Sequence, residues 1–181
     1  MKNTAVLRLL ASIAIFEAGW FACVIGAARG ALVWGILAAA AATAWQLGIS
    51  RRRGADLLLM AAALGVGLVW DTALGRAHLV VYASHLPLAT VAPCWILALW
   101  VQFGGVLREP LRWLHGRPAL AAVFGGAGGA ASYAGAARLG ACTFPDTRHA
   151  LVVLAVGWAV IFPLLAELAR RLDTGAVAST R

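Results

Sequence analysis

Three ionisable residues lie inside stretches of sequence that are otherwise apolar: Glu17, Asp71 and Arg138. A charged side chain is costly in hydrocarbon, so such residues usually face the interior of a helix bundle and mark an ion, proton or ligand site. Counting about 1.5 Å per residue from one end of each stretch puts Asp71 and Arg138 about 6 Å and 5 Å deep, and Glu17 about 16 Å deep, near the middle. We therefore look for function near these three residues.

The matching depths of Asp71 and Arg138 predict an ion pair. Arginine suits a two-point grip on a carboxylate, and pairing offsets much of the cost of burying either charge. On the structural interpretation, the pair fixes the bundle. On the functional interpretation, Asp71 holds Arg138 in place as a cationic site for an anionic headgroup or a carboxylate ligand.

Glu17 has no cation at its own depth, but the hydroxyls of Ser132 and Tyr133 are expected at a similar level. A carboxyl group in that position can form a structural hydrogen bond or exchange a proton, and both interpretations stay open. Tryptophans near span ends are typical of an interfacial belt, whereas Trp70, next to Asp71, is expected to line a pocket. The predicted ligand-binding residues are Glu17, Trp20, Trp70, Asp71, Ser132, Tyr133 and Arg138.

Six long apolar stretches must position these side chains. The chain is 62% hydrophobic and 12% charged, more apolar than a water-soluble domain of 181 residues can bury. Each stretch is close to the ~20 residues that a helix needs to cross a bilayer, and too continuously apolar for a barrel strand. The fold class predicted is an all-α membrane protein, a compact bundle of six transmembrane helices within residues 1–169. The spans are 9–28, 31–49, 55–75, 89–107, 119–141 and 149–169.

Arginines concentrate at the two termini and in the second and fourth loops. The positive-inside rule therefore places both termini in the cytoplasm, with residues 170–181 as a cytoplasmic tail. The net charge of +8 comes mostly from these flanking residues, so no nucleic-acid partner is expected. The cysteines show no close pairing, and neither a metal site nor a cofactor is expected.

Small residues recur three and four apart on one face of the fifth stretch, a spacing that lets helix backbones approach closely. The fifth helix is therefore expected to be central, with close packing as the main role of this face. The face comprises Gly125, Gly128, Gly129, Ser132, Ala136 and Gly140.

Several segments together resemble a bacterial inner-membrane family of unknown function. They are residues 19–28, with the sequence GWFACVIGAA, residues 111–118, LRWLHGRP, and residues 137–141, ARLGA, together with Asp71 and the pair Ser132 and Tyr133. The resemblance implies an inner-membrane location and, by association with lipid-modifying enzymes, a place in lipid metabolism. Relatives often carry glutamine at position 17 and proline at position 130. The first difference weakens an essential proton relay at Glu17, and the second predicts a straighter fifth helix.

The function expected is binding or handling of a lipid or amphiphilic carboxylate in membrane-lipid modification, as a carrier, accessory subunit or enzyme. Its partners would be membrane lipids and a lipid-modifying enzyme. A small proton-linked transporter using Glu17 is the first alternative, and it requires a polar path through Gln46 or Gln102. A non-catalytic assembly scaffold, with a large apolar face and no pocket, is the second.

Overall fold

The computed structural model describes residues 2–84, 88 and 90–178, and the side chains of residues 6–84, 88 and 90–174. Over these residues the chain is an all-α bundle, as predicted, with one pair of two-residue strands. The helices are α1 Lys2–Ala28, α2 Leu32–Ile49, α3 Arg53–Arg76, α4 Cys94–Val106, α5 Pro118–Arg138 and α6 Thr147–Ala178. A 3-10 turn covers Arg112–Leu114, and the strands are β1 Val81–Tyr82 and β2 Cys142–Thr143.

Four helices of the described chain are long and apolar enough to cross a membrane, which indicates an integral membrane protein. They cover Val6–Ala28, Leu32–Ile49, Arg53–Arg76 and Thr147–Thr174. The two remaining helices do not meet this standard, since the small residues of α5 dilute its apolar character and α4 is short. A count of six spans therefore stays a prediction.

The fourth helix is shorter than the predicted span 89–107 because Pro93 sets its start. Pro93 has extended backbone angles, φ −61° and ψ 147°, and the helix begins at Cys94. Proline also disfavours helical geometry in the residue before it, so the helix cannot extend back through Ala92. The 13 residues of α4 are about 20 Å long, less than the ~30 Å of a bilayer core.

The short helix α4, rather than α5, lies at the centre of the bundle. It contacts α1, α2 and α3, and its residues Trp95 and Trp100 belong to the main hydrophobic core. Helix α5 packs mainly on α6, which in turn contacts α3. The prediction of a central fifth helix was wrong. Gly125 and Gly129 of its small-residue face admit Phe162 and Trp158 of α6, but Gly128 of the same face has no neighbour within 4 Å.

Two polar features hold opposite ends of the bundle. At one end β1 and β2 pair antiparallel, with Tyr82 opposite Cys142, which ties the loop after α3 to the loop after α5. At the other end Arg108, which is 5% exposed, places its Nε 2.7 Å from Asp56 and its Nη1 2.9 Å from Asp173. Burial acts to lower the pKa of Arg108, but the hydrogen bonds to the two carboxylates raise it above its usual value. The guanidinium therefore stays charged and joins α3 and α6 to the end of α4.

Candidate functional site

A cavity of about 590 Å³ lies between α1 and α5, with α4 and α6 forming its other walls. This volume is in the range of pockets that bind small molecules. The lining is mainly apolar and aromatic, as such pockets usually are. Its aromatic rings include those of Phe16, Trp20, Trp95, Trp100, Phe103 and Trp158.

Glycines on neighbouring helices make room for the indole rings of the cavity wall. A Cβ atom at Gly67 of α3 would lie 2.2 Å from the Trp100 ring, and one at Gly129 of α5 would lie 2.2 Å from the Trp158 ring. The two indoles stack with centroids 4.7 Å apart and planes 9° from parallel. Because each ring fills the space that a side chain would otherwise take, the wall depends on these glycines.

The cavity opens sideways, between α1 and α5. These two helices meet near the β1–β2 end, where Trp20 Nε1 donates a hydrogen bond of 3.0 Å to Ser132 Oγ. Further along, Glu17 of α1 and Phe124 and Gly128 of α5 line the cavity and are also exposed. A Cβ atom at Gly128 would meet no atom within 4 Å. In a bilayer this opening would face the surrounding lipid.

Behind the cavity wall, Asp71 is fully buried and bonded to three donors. Tyr82 Oη donates to its Oδ1 at 2.6 Å, Tyr133 Oη donates to the same oxygen at 2.5 Å, and Trp100 Nε1 donates to Oδ2 at 2.5 Å. The three donor side chains line the cavity, whereas Asp71 does not. Asp71 thus holds three wall residues from three different parts of the chain.

A family model described as "Protein of unknown function (DUF2878)" matches residues 9–164. The chain belongs to this family. The match contains every residue that lines the cavity, from Ile13 to Phe162, so the site lies wholly within the DUF2878 region. No curated protein and no solved structure matches the chain. The predicted resemblance to a family of unknown function is confirmed, while bacterial origin stays a prediction.

The ion pair predicted between Asp71 and Arg138 was wrong. Arg138 is exposed at the last residue of α5, and the partners of Asp71 are Tyr82, Tyr133 and Trp100. Residue spacing gives the depth of Asp71 and Arg138 along their helix axes, and the two depths match. It does not give the direction in which each side chain points around its helix axis. Arg138 follows Tyr133 by five residues, which is about 140° around the helix, so only one of the two can face Asp71.

The predicted contact of Glu17 with a hydroxyl of α5 was also wrong. Ser132 accepts its hydrogen bond from Trp20, and Tyr133 donates to Asp71. Glu17 lines the cavity at its opening, and Trp20, Ser132 and Tyr133 line the same cavity. The DUF2878 cavity therefore brings together Glu17, Trp20, Ser132 and Tyr133.

Trp70, the remaining predicted site residue, lies outside the cavity lining. Its indole packs on α6, where a Cβ atom at Gly157 would be 2.0 Å from the ring. Its buried Nε1 has no hydrogen-bond partner among the described residues. Trp70 is thus a packing residue between α3 and α6.

Sequence reasoning missed Trp95, Trp100, Trp158 and Tyr82 as site residues. Trp95, in the first half of the predicted span 89–107, fits the pattern of an interfacial belt, but it is 1% exposed. Trp34 and Trp45, by contrast, are exposed, as belt residues are. The available signal was the position of Trp100 and Trp158 well inside apolar stretches, where a membrane interface cannot explain a tryptophan.

The Cys142 thiol and the Tyr82 hydroxyl line the cavity at its β1–β2 end, and both stay neutral near pH 7. Burial, and then the proximity of Asp71, raise the pKa of Cys142 to about 12. The same two causes raise the pKa of Tyr82 far above its usual value. Within residues 2–84, 88 and 90–178, no group of three or more His, Cys, Asp or Glu side chains could hold a metal ion. The described cavity offers apolar surface, hydroxyl and indole groups, and one carboxylate, that of Glu17.

Proposed function

We propose that this DUF2878 protein is a multi-pass protein of the bacterial inner membrane that binds the apolar chain of a lipid in the cavity between α1 and α5. The observation that carries the proposal is the sideways opening of an apolar, aromatic cavity. Such a site receives its ligand from the bilayer without passing it through water. The protein would then serve membrane-lipid modification as a carrier, as an accessory subunit of a lipid-modifying enzyme, or as the enzyme itself.

The chemistry of the lining supports a hydrocarbon chain as the bound part of the ligand. Burial of apolar surface against apolar walls is non-directional and needs no fixed polar partner. Exposed rings at the opening, such as Trp113 and Phe124, which lie 5.5 Å apart edge to face, extend the apolar surface to the rim. A carboxylate headgroup would need a cation near the cavity, and Arg138, the residue predicted for that role, lies outside the lining.

The arrangement gives less support to the proton-linked transporter. That alternative needs polar groups leading from Glu17 through Gln102 or Gln46. Gln102 Nε2 instead donates to the carbonyl oxygen of Phe16, Gln46 Nε2 donates to that of Ser12, and neither glutamine lines the cavity. A void of about 10 Å³ beside Gln46 shares no lining residue with the main cavity. The scaffold alternative predicts a large apolar face without a pocket, and the cavity does not fit that prediction.

A blocked cavity tests the proposal. Leucine at Gly128 would extend into the open space between α1 and α5, so Gly128→Leu should lose bound lipid. Gly65→Leu is the matched control, because Gly65 is also helical, exposed and free of neighbours within 4 Å, but does not line the cavity. Native mass spectrometry of each purified variant would count the bound lipids, and circular dichroism would confirm equal helix content. Equal lipid occupancy in the two variants would refute a binding site in this cavity.

A further inference from the structure

Glu17 is the one charged side chain in the described lining of the cavity. It lies at the opening, is exposed, and is about 16 Å along α1 from Ala28. Within the part of the chain that the structure describes, no side chain forms a hydrogen bond or an ion pair with its carboxylate, and the arginines lie outside the lining. A carboxylate at this depth in a bilayer is expensive unless a counter-charge reaches it.

Aromatic rings that line the same cavity as Glu17 offer a second kind of contact for a cation. Trp20 is three residues further along α1, on the same side of the helix, and both residues line the cavity. Phe16 precedes Glu17, and Trp113 and Phe124 line the cavity from other segments. Aromatic faces attract ammonium groups, most strongly where water is excluded. A carboxylate among tryptophan and phenylalanine rings matches the chemistry that recognises organic cations.

We propose that the ligand carries a cationic headgroup, a quaternary ammonium or an amine, which Glu17 and the rings at the cavity opening bind while its apolar chain fills the cavity. This inference rests on the proposed function and names the ligand class of the same site. An anionic amphiphile would place a second negative charge beside Glu17, which like-charge repulsion disfavours. Binding affinity should therefore be highest for a cationic amphiphile, intermediate for an uncharged one and lowest for a carboxylate.

Three amphiphiles with the same chain test the preference. They are dodecyltrimethylammonium, its uncharged isostere with a tert-butyl group in place of trimethylammonium, and dodecanoate. Binding to the full protein in micelles of an uncharged maltoside detergent would be followed by tryptophan fluorescence, with affinities expressed per mole fraction in the micelle. We expect the cation to bind about tenfold more tightly than its isostere, and dodecanoate to bind most weakly.

Two variants separate the role of Glu17 from a general effect of charge. Glu17→Gln keeps the size of the side chain and should abolish the preference for the cation while leaving binding of the isostere unchanged. Glu109→Gln removes the same charge from an exposed residue outside the cavity lining and should keep the preference. Equal binding of cation and isostere to the unaltered protein would overturn this inference and leave the proposed function standing. If Gly128→Leu binds all three amphiphiles as tightly as the unaltered protein does, the proposed function itself is refuted.

Discussion

Asp71 is the residue whose removal should damage the fold most, and the reason is the number of donors it satisfies. Tyr82, Tyr133 and Trp100 are 4%, 6% and 3% exposed, and each donates to its carboxylate. Asp71→Ala would leave three buried donors without a partner. Hydrogen bonds to charged groups contribute about 1.5–3 kcal/mol each, offset in part by the relief of burying a carboxylate. We expect a loss of roughly 3–5 kcal/mol in the free energy of unfolding.

Asp71→Asn gives a finer test because it replaces one acceptor by a donor. The amide oxygen can take the place of Oδ1 and accept from both tyrosines, but the amide nitrogen then faces Trp100 Nε1. Two opposed donors should cost about 1–3 kcal/mol. Trp100→Phe removes the opposing donor, so the double variant should lose less stability than the sum of the two single variants.

Reversible unfolding in mixed micelles with increasing dodecyl sulfate, followed by circular dichroism, would measure these free energies. Arg138→Ala is the control, since an exposed side chain without a partner of this kind should change stability by no more than about 0.5 kcal/mol. Strict additivity of Asp71→Asn with Trp100→Phe would show that the two groups do not interact, and the hydrogen-bonded cluster would have to be abandoned. A loss for Arg138→Ala as large as that for Asp71→Ala would instead restore the ion pair.

Two further predictions concern topology and the charged cluster at the other end of the bundle. In a variant without the native cysteines, Gly54→Cys should be shielded from an impermeant thiol reagent in intact cells and Ala77→Cys should react, and the reverse pattern would reject cytoplasmic termini. Arg108→Ala should cost about 3–5 kcal/mol in the same unfolding assay because Asp56 is left buried without its counter-charge, with only the Ser50 hydroxyl bonded to it. Arg112→Ala, at an exposed site, should cost little. A cost for Arg108→Ala below about 1 kcal/mol would mean that water already screens the cluster.

The apolar pattern predicted most of the helices, because hydropathy and length determine which segments can satisfy their backbone in a bilayer. It overestimated the length of the fourth helix, because Pro93 sets the start of that helix although the residues before it are also apolar. The site was harder to predict. Spacing along a helix gives the depth of a residue, and by depth Asp71 matched Arg138. Which residue faces Asp71 depends on the rotation and pairing of helices, and these follow from close contacts such as Gly67 with Trp100, which a single sequence does not reveal.

The hydrogen bonds of Asp71 help to keep the apolar cavity open. A cavity inside a helix bundle is unstable against collapse, since its walls gain contacts by moving together. Here Trp100 is bonded to Asp71 on one side and stacked on Trp158, which in turn lies against Gly129 of α5. The distance between α4 and α5 is thus filled by two rigid rings, and Asp71 fixes the first. The carboxylate that the sequence suggested as a ligand site acts instead on the wall residues, and the ligand site itself is the space that they keep open.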